Sequence, residues 1–109
     1  MSKLRRVKDT ENPENVEYAF YCPGCQYAHW VRTKGPRPLW TWNGSVDAPT
    51  FAPSLVVGPG TKLVCHSFIR DGRIQFLPDS HHSLAGHTVE IPDWAGRFED
   101  ELPPNKEIK

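Results

Sequence analysis

The run Cys65-His66-Ser67-Phe68-Ile69-Arg70-Asp71-Gly72-Arg73-Ile74-Gln75-Phe76 decides the reading of the fold. Asp-Gly is a preferred pair for a two-residue type I′ turn, and β-forming residues flank it on both sides. Counting outward from the turn pairs Arg70 with Arg73, Ile69 with Ile74 and Ser67 with Phe76, since opposite residues in a hairpin share a face. Cys65, Ser67, Ile69, Ile74 and Phe76 then make one apolar face, which turns inward. His66, Phe68, Arg70, Arg73 and Gln75 take the outer face.

The inward Cys65 gains meaning from Cys22-Pro23-Gly24-Cys25, because two thiols three positions apart on a tight turn can close on one metal ion. Strand-like runs flank that turn, Val16 to Tyr21 before it and Tyr27 to Arg32 after it, as in a zinc knuckle. A redox dithiol needs a following helix to depress the first thiol's pKa, and Gln26 to Arg32 reads as strand. Haem attachment fails too, since Gln26 follows Cys25 where histidine is required. The expected ligand set is Cys22, Cys25, Cys65 and His82 on zinc, with His81 and His87 as the other candidates for the histidine. His66 follows Cys65 directly and so faces away from the metal.

The chain of 109 residues makes one small domain, of a size for which a metal staple is useful. Thirteen basic and thirteen acidic residues cancel, leaving no field to draw nucleic acid or an anionic membrane. No apolar run approaches the roughly 18 residues that span a bilayer, and three cysteines, an odd number, suit a reducing compartment, so a soluble cytoplasmic protein is expected. Eleven prolines and eight glycines, scattered, favour short strands over helices. The expectation is a mainly β, antiparallel, zinc-stapled domain built from hairpins, with at most one helical turn, over Asp79 to Gly86. Residues 1–15 read as a mobile arm, 16–92 as the domain and 93–109 as a loosely held tail that Trp94 and Phe98 dock. Leu39 to Trp42 is a short strand with Trp40 and Trp42 on one face. Pro49 and Pro53 keep Asp47 to Ser54 extended but out of any central strand.

Three sulfur donors load the metal with negative charge and weaken it as a Lewis acid, which favours a structural site. The expected role is then an accessory protein that binds a macromolecular partner, a protein in preference to nucleic acid. His66, Arg70 and Arg73 on the outer face, with Trp40 and Trp42, are the candidate binding residues. The two tryptophans, near Arg32, Lys34 and Arg37, also match a base-stacking surface, but in a neutral domain they read as core. The rival reading is a zinc-dependent hydrolase with an open metal position beside His66, Asp71 or Asp79. A zinc deaminase is excluded, since Tyr21 stands where its motif has proline and no H-x-E is present.

Beyond these readings, C-P-G-C at 22–25, W-x-W-N-G-S at 40–45, P-T-F-A-P-S at 49–54, C-H-S-F-I-R-D-G-R-I-Q-F at 65–76 and L-A-G-H-T-V at 84–89 resemble a family of small phage and prophage proteins. The likeness runs from Tyr18 to Trp94. It implies a phage context and a metal site, and its D-x-x-H-x-L-A-G pattern puts the ligand histidine at His82. That family often carries the label ammonia monooxygenase, which physics rejects, because such chemistry needs a redox metal and transmembrane helices.

Overall fold

Eight strands form two antiparallel sheets in the computed structural model, which describes residues 2–7 and 11–94. The first sheet, in order β1-β2-β3, contains Leu4–Val7, Val16–Cys22 and Tyr27–Lys34. The second, in order β4-β5-β6-β7-β8, contains Thr41–Trp42, Phe51–Val57, Cys65–Arg70, Arg73–Phe76 and Thr88–Glu90. No helix occurs among the described residues, so the mainly β expectation holds. The stretch expected to make a helical turn runs instead through turns closed by Ala85 N–H to His82 C=O and His87 N–H to Leu84 C=O.

The β6–β7 hairpin has the register that its turn dictates, with Ser67 opposite Phe76, Ile69 opposite Ile74 and Arg70 opposite Arg73. Asp71 and Gly72 both take positive φ, 51° and 78°, the signature of the type I′ turn. The inward face is fully buried, from Cys65 through Ser67, Ile69, Ile74 and Phe76. It packs with Leu4, Tyr18, Phe20 and Val31 of the first sheet into one core that both sheets share. Trp40 and Trp42 pack against that core, and the Trp42 ring stacks on Phe51, 6.3 Å between centroids.

Two expectations are corrected here. The stretch read as a mobile arm contributes β1, because Leu4 and Val7 are buried at the ends of a four-residue strand paired along β2. So short a strand, with two arginines at its centre, gives little periodic signal. In the stretch read as a tail that Trp94 docks, Trp94 N–H donates to Ser2 C=O, Arg5 lies over the Trp94 ring and Asp93 pairs with Lys3 at 3.4 Å. Phe98 and the rest of 95–109 lie outside the described residues. Pro53, finally, lies inside a strand that is not at a sheet edge. It is tolerated because the β5–β6 register shifts between Phe51 and Leu55, so that Ala52, Pro53 and Ser54 together stand opposite Phe68 alone.

The core argument predicts that Ile74→Ala, at a fully buried position, lowers unfolding free energy by about 2–5 kcal/mol. Arg73→Ala, next to it and exposed, should change it by no more than about 0.5 kcal/mol. Urea midpoints measured side by side check both values.

Candidate metal centre and the residues beside it

The β2–β3 turn sets two thiols in place: Cys22 ends β2, Gln26 N–H donates to Cys22 C=O at 2.8 Å, and Cys25 N–H donates to Cys22 Sγ at 3.3 Å. Cys65, at the start of β6, faces them across the core. These three sulfurs and a ring nitrogen of His29 all lie within 4.8 Å of one another, the spacing of donors around one ion. Cys22, Cys65 and His29 are buried, and the Nε2 of His29 has no hydrogen-bond partner. A cation among these donors would be bound by the ring nitrogen that His29 places beside the sulfurs.

His82, expected as the fourth ligand, stands at the rim of this cluster. Its Nε2 is 3.4 Å from Cys65 Sγ, while its Nδ1 accepts the Leu84 N–H at 3.3 Å. Burial holds this ring below the ordinary imidazole range, so it is neutral, and with Nδ1 accepting, its one hydrogen sits on Nε2 and points at the sulfur. The ring rests on Gly24, where any Cβ would overlap it, which is why C-P-G-C carries glycine there. His81 Nε2 lies 3.4 Å from Cys25 Sγ. His87 contributes only backbone bonds in this region, to Phe76 and Leu84.

The thiols perturb one another strongly. Cys22 is pulled down to about 4 by the hydrogen bond from Cys65, with His29 adding to it against the cost of burial. Cys25 is pushed up to about 11 by burial and by the Cys22 charge. Cys65 is pushed up too, by the hydrogen bond it gives Cys22 and by burial. One thiolate thus forms at its neighbours' expense. A divalent cation would let all three ionise, so the donor set fits a metal.

The opposite face of β6 carries a second constellation. His66 Nδ1 lies 3.2 Å from Asp79 Oδ2, and His66 Nε2 lies 3.3 Å from Ser54 Oγ. Ser54 reaches this histidine because Val56 pairs with His66, and Ser54, two residues earlier, shares the face of Val56. Ser80 fixes the His66 backbone from both sides: His66 N–H donates to Ser80 Oγ and Ser80 Oγ–H donates to His66 C=O, each at 3.0 Å.

Of the other expected binding residues, Trp40 donates its indole N–H to Ser54 C=O at 3.3 Å, which ties it to this face. Trp42 donates to Ser45 C=O and is a core residue. Arg70 lies over the Phe68 ring and Arg73 is 3.9 Å from Glu90, at the far end of the hairpin. The structure does not bring them to Ser54. Asp71, at the hairpin turn, is remote from the metal cluster as well. His29, Ser54 and Ser80 are absent from the sequence-derived site. Cys25-x-x-x-His29 was a legible signal for the first; Ser54 and Ser80 belong to no local motif.

The cluster predicts about one metal ion per purified chain by elemental analysis. Cys22→Ser and Cys65→Ser should lose it. His66→Ala, on the other face of β6, should keep it.

Neither a curated protein nor a solved structure matches the chain. A family model does match, over residues 3–77, described as the bacterial ubiquitination-like system serine protease, BubE. It names a bacterial system where the resemblance above implied a phage context, and the label ammonia monooxygenase finds no support in it. The matched span takes in Cys22, Cys25, His29, Ser54, Cys65 and His66 and is more than half of the chain. The chain therefore belongs to the BubE family of the bacterial ubiquitination-like system.

Proposed function

We propose that this protein is a serine protease of such a system, with Ser54 as nucleophile, His66 as general base and Asp79 as the carboxylate that orients it. One observation carries this reading: the relay from Ser54 Oγ to His66 Nε2 and from His66 Nδ1 to Asp79 Oδ2. The order of atoms is what acyl transfer requires. With Nδ1–H donating to Asp79, Nε2 holds the lone pair that takes the Ser54 hydroxyl proton. Both separations, 3.3 and 3.2 Å, are near the long end of hydrogen bonding, as free enzymes often show.

In the reaction the Ser54 oxygen bonds to the scissile carbonyl carbon as its proton passes to His66. The C–N bond then breaks, and His66 returns that proton to the leaving amine. Water, deprotonated by the same Nε2, hydrolyses the acyl-enzyme and frees Ser54. Asp79 is 61% exposed, so water screens its charge, and its main contribution is to fix the ring and its tautomer. Ser80 is a positioning residue, since it holds the His66 backbone. The metal-bound-water version of a hydrolase gives way here to a serine mechanism, in which the hydrolytic groups lie on the face of β6 away from the cysteines. In this reading His66 is the general base and Asp79 orients it.

The metal in this reading is zinc, structural, held by Cys22, Cys25, Cys65 and His29, and its chemistry is to stabilise three thiolates and fold the chain around them. His82 supports it by donating its Nε2–H to the Cys65 sulfur, as a partner outside the ligand set. Two measurements test the two halves. A fluorophosphonate probe should label Ser54, with Ser54→Ala unlabelled and Asp79→Asn slowed by roughly a hundredfold or more, since loss of the orienting carboxylate frees the wrong tautomer. A folded, zinc-loaded protein that is labelled elsewhere or not at all would refute the nucleophile. His29→Ala should lose zinc and His82→Ala should retain it with about 10–100-fold weaker affinity; the reverse result makes His82 the ligand.

A further inference from the structure

A groove of about 400 Å³ separates the two sheets on the side of Trp40, with Tyr27, Ala28 and Trp30 of β3 on one wall and Leu55, Val56 and Val57 of β5 on the other. Both walls are strand edges without partners. β3 ends its sheet, and Arg32 C=O, on the side away from β2, accepts the Trp40 N–H at 2.9 Å. Backbone groups of alternate residues in an antiparallel strand point the same way, so Trp30 and Ala28 direct N–H and C=O into the groove.

The β5 wall follows by the same parity. β4 pairs only with Ala52 and Phe51, leaving Leu55 to Val57 uncovered on that side. His66 C=O accepts Leu77 N–H on the β7 side, so Cys65 and Ser67 turn toward β5 and bond with Val57 and Leu55. Val56 therefore points its N–H and C=O away from β6, on the side where Ser54 C=O meets the Trp40 indole. The Trp30 indole N–H, buried, also has no partner.

We infer that this groove binds the substrate as an extended peptide, added as a strand between the β3 and β5 edges and running onto Ser54. The inference rests on the reading of Ser54 as the nucleophile for its direction. The backbone N–H and C=O groups of Ala28 and Trp30 on one wall and of Val56 on the other match the alternating groups of an extended polypeptide backbone. The walls select side chains: the lining is largely apolar and aromatic, and the charged pair there, Arg32 with Glu17, neutralises itself. Uncharged apolar residues are thus the favoured occupants of the segment entering the site.

The test separates binding from cleavage. Ser54→Ala protein, which cannot turn over, is used to select binders from a phage-displayed random decapeptide library, and the best peptide is resynthesised with single backbone N-methylations. Fluorescence anisotropy should show affinity falling by about tenfold or more at alternate positions and holding at those between, the pattern of a paired strand. The binders should carry apolar side chains. A library that yields no binder, or a peptide for which N-methylation has the same effect everywhere, would overturn the inference. Failure of the unmodified protein to take a fluorophosphonate at Ser54, with the alternating pattern intact, would remove the nucleophile and leave the strand site standing.

Discussion

Cys65 and His66 are neighbours on one strand, and strand alternation sends them to opposite faces of the sheet. Cys65 joins the sulfur cluster in the core, and His66 meets Ser54 and Asp79 on the outside. The loop after β7 repeats this division within four residues: Asp79 contacts His66, Ser80 clamps its backbone, His81 reaches Cys25 and His82 reaches Cys65. A metal on the cysteine face would hold β6, which carries His66, directly through Cys65, and the loop that carries Asp79 through the contacts of His81 and His82 with the cysteines. Since a misplacement of about 1 Å can cost about a hundredfold in rate, fixing these segments is a catalytic matter as well as a structural one.

The energetic scale supports that dependence. A domain of this size is stable by only about 5–15 kcal/mol, and a structural zinc site supplies on the order of 10 kcal/mol. The loop from Leu77 to His87 has turns in place of regular structure, tied to the sheet by Leu77 N–H to His66 C=O, His81 N–H to Val64 C=O and Gly86 N–H to Phe76 C=O. The side-chain links to Cys25 and Cys65 add to these bonds at its centre, beside Asp79.

What was legible in the sequence was what neighbouring residues decide. Asp71-Gly72 set the β6–β7 register and with it the opposed directions of Cys65 and His66. The spacing of Cys22 and Cys25 between two β-runs made the knuckle readable, and three of the clustered donors with it. What escaped depends on pairing between segments distant in the chain. His29 is the exception, four residues after Cys25 in the same hairpin, where its strand setting hid the signal of that spacing. Ser54 becomes a partner of His66 only once the bulge at Ala52 to Ser54 fixes which β5 residues face β6, and Pro53, which lies in that bulge, was itself an argument against a central strand. In β1, two arginines between Leu4 and Val7 hid a strand that only its pairing with β2 makes apparent.

The claim that the cysteine face positions the proposed triad has a direct measurement. Protein titrated with a chelator is exposed briefly to a fluorophosphonate, and native mass spectrometry reads metal content and label on each molecule in one spectrum. The account predicts label on the metal-bearing chain and little on the metal-free chain, in proportion to the metal retained. Equal labelling of Ser54 on metal-free and metal-bearing molecules would contradict it.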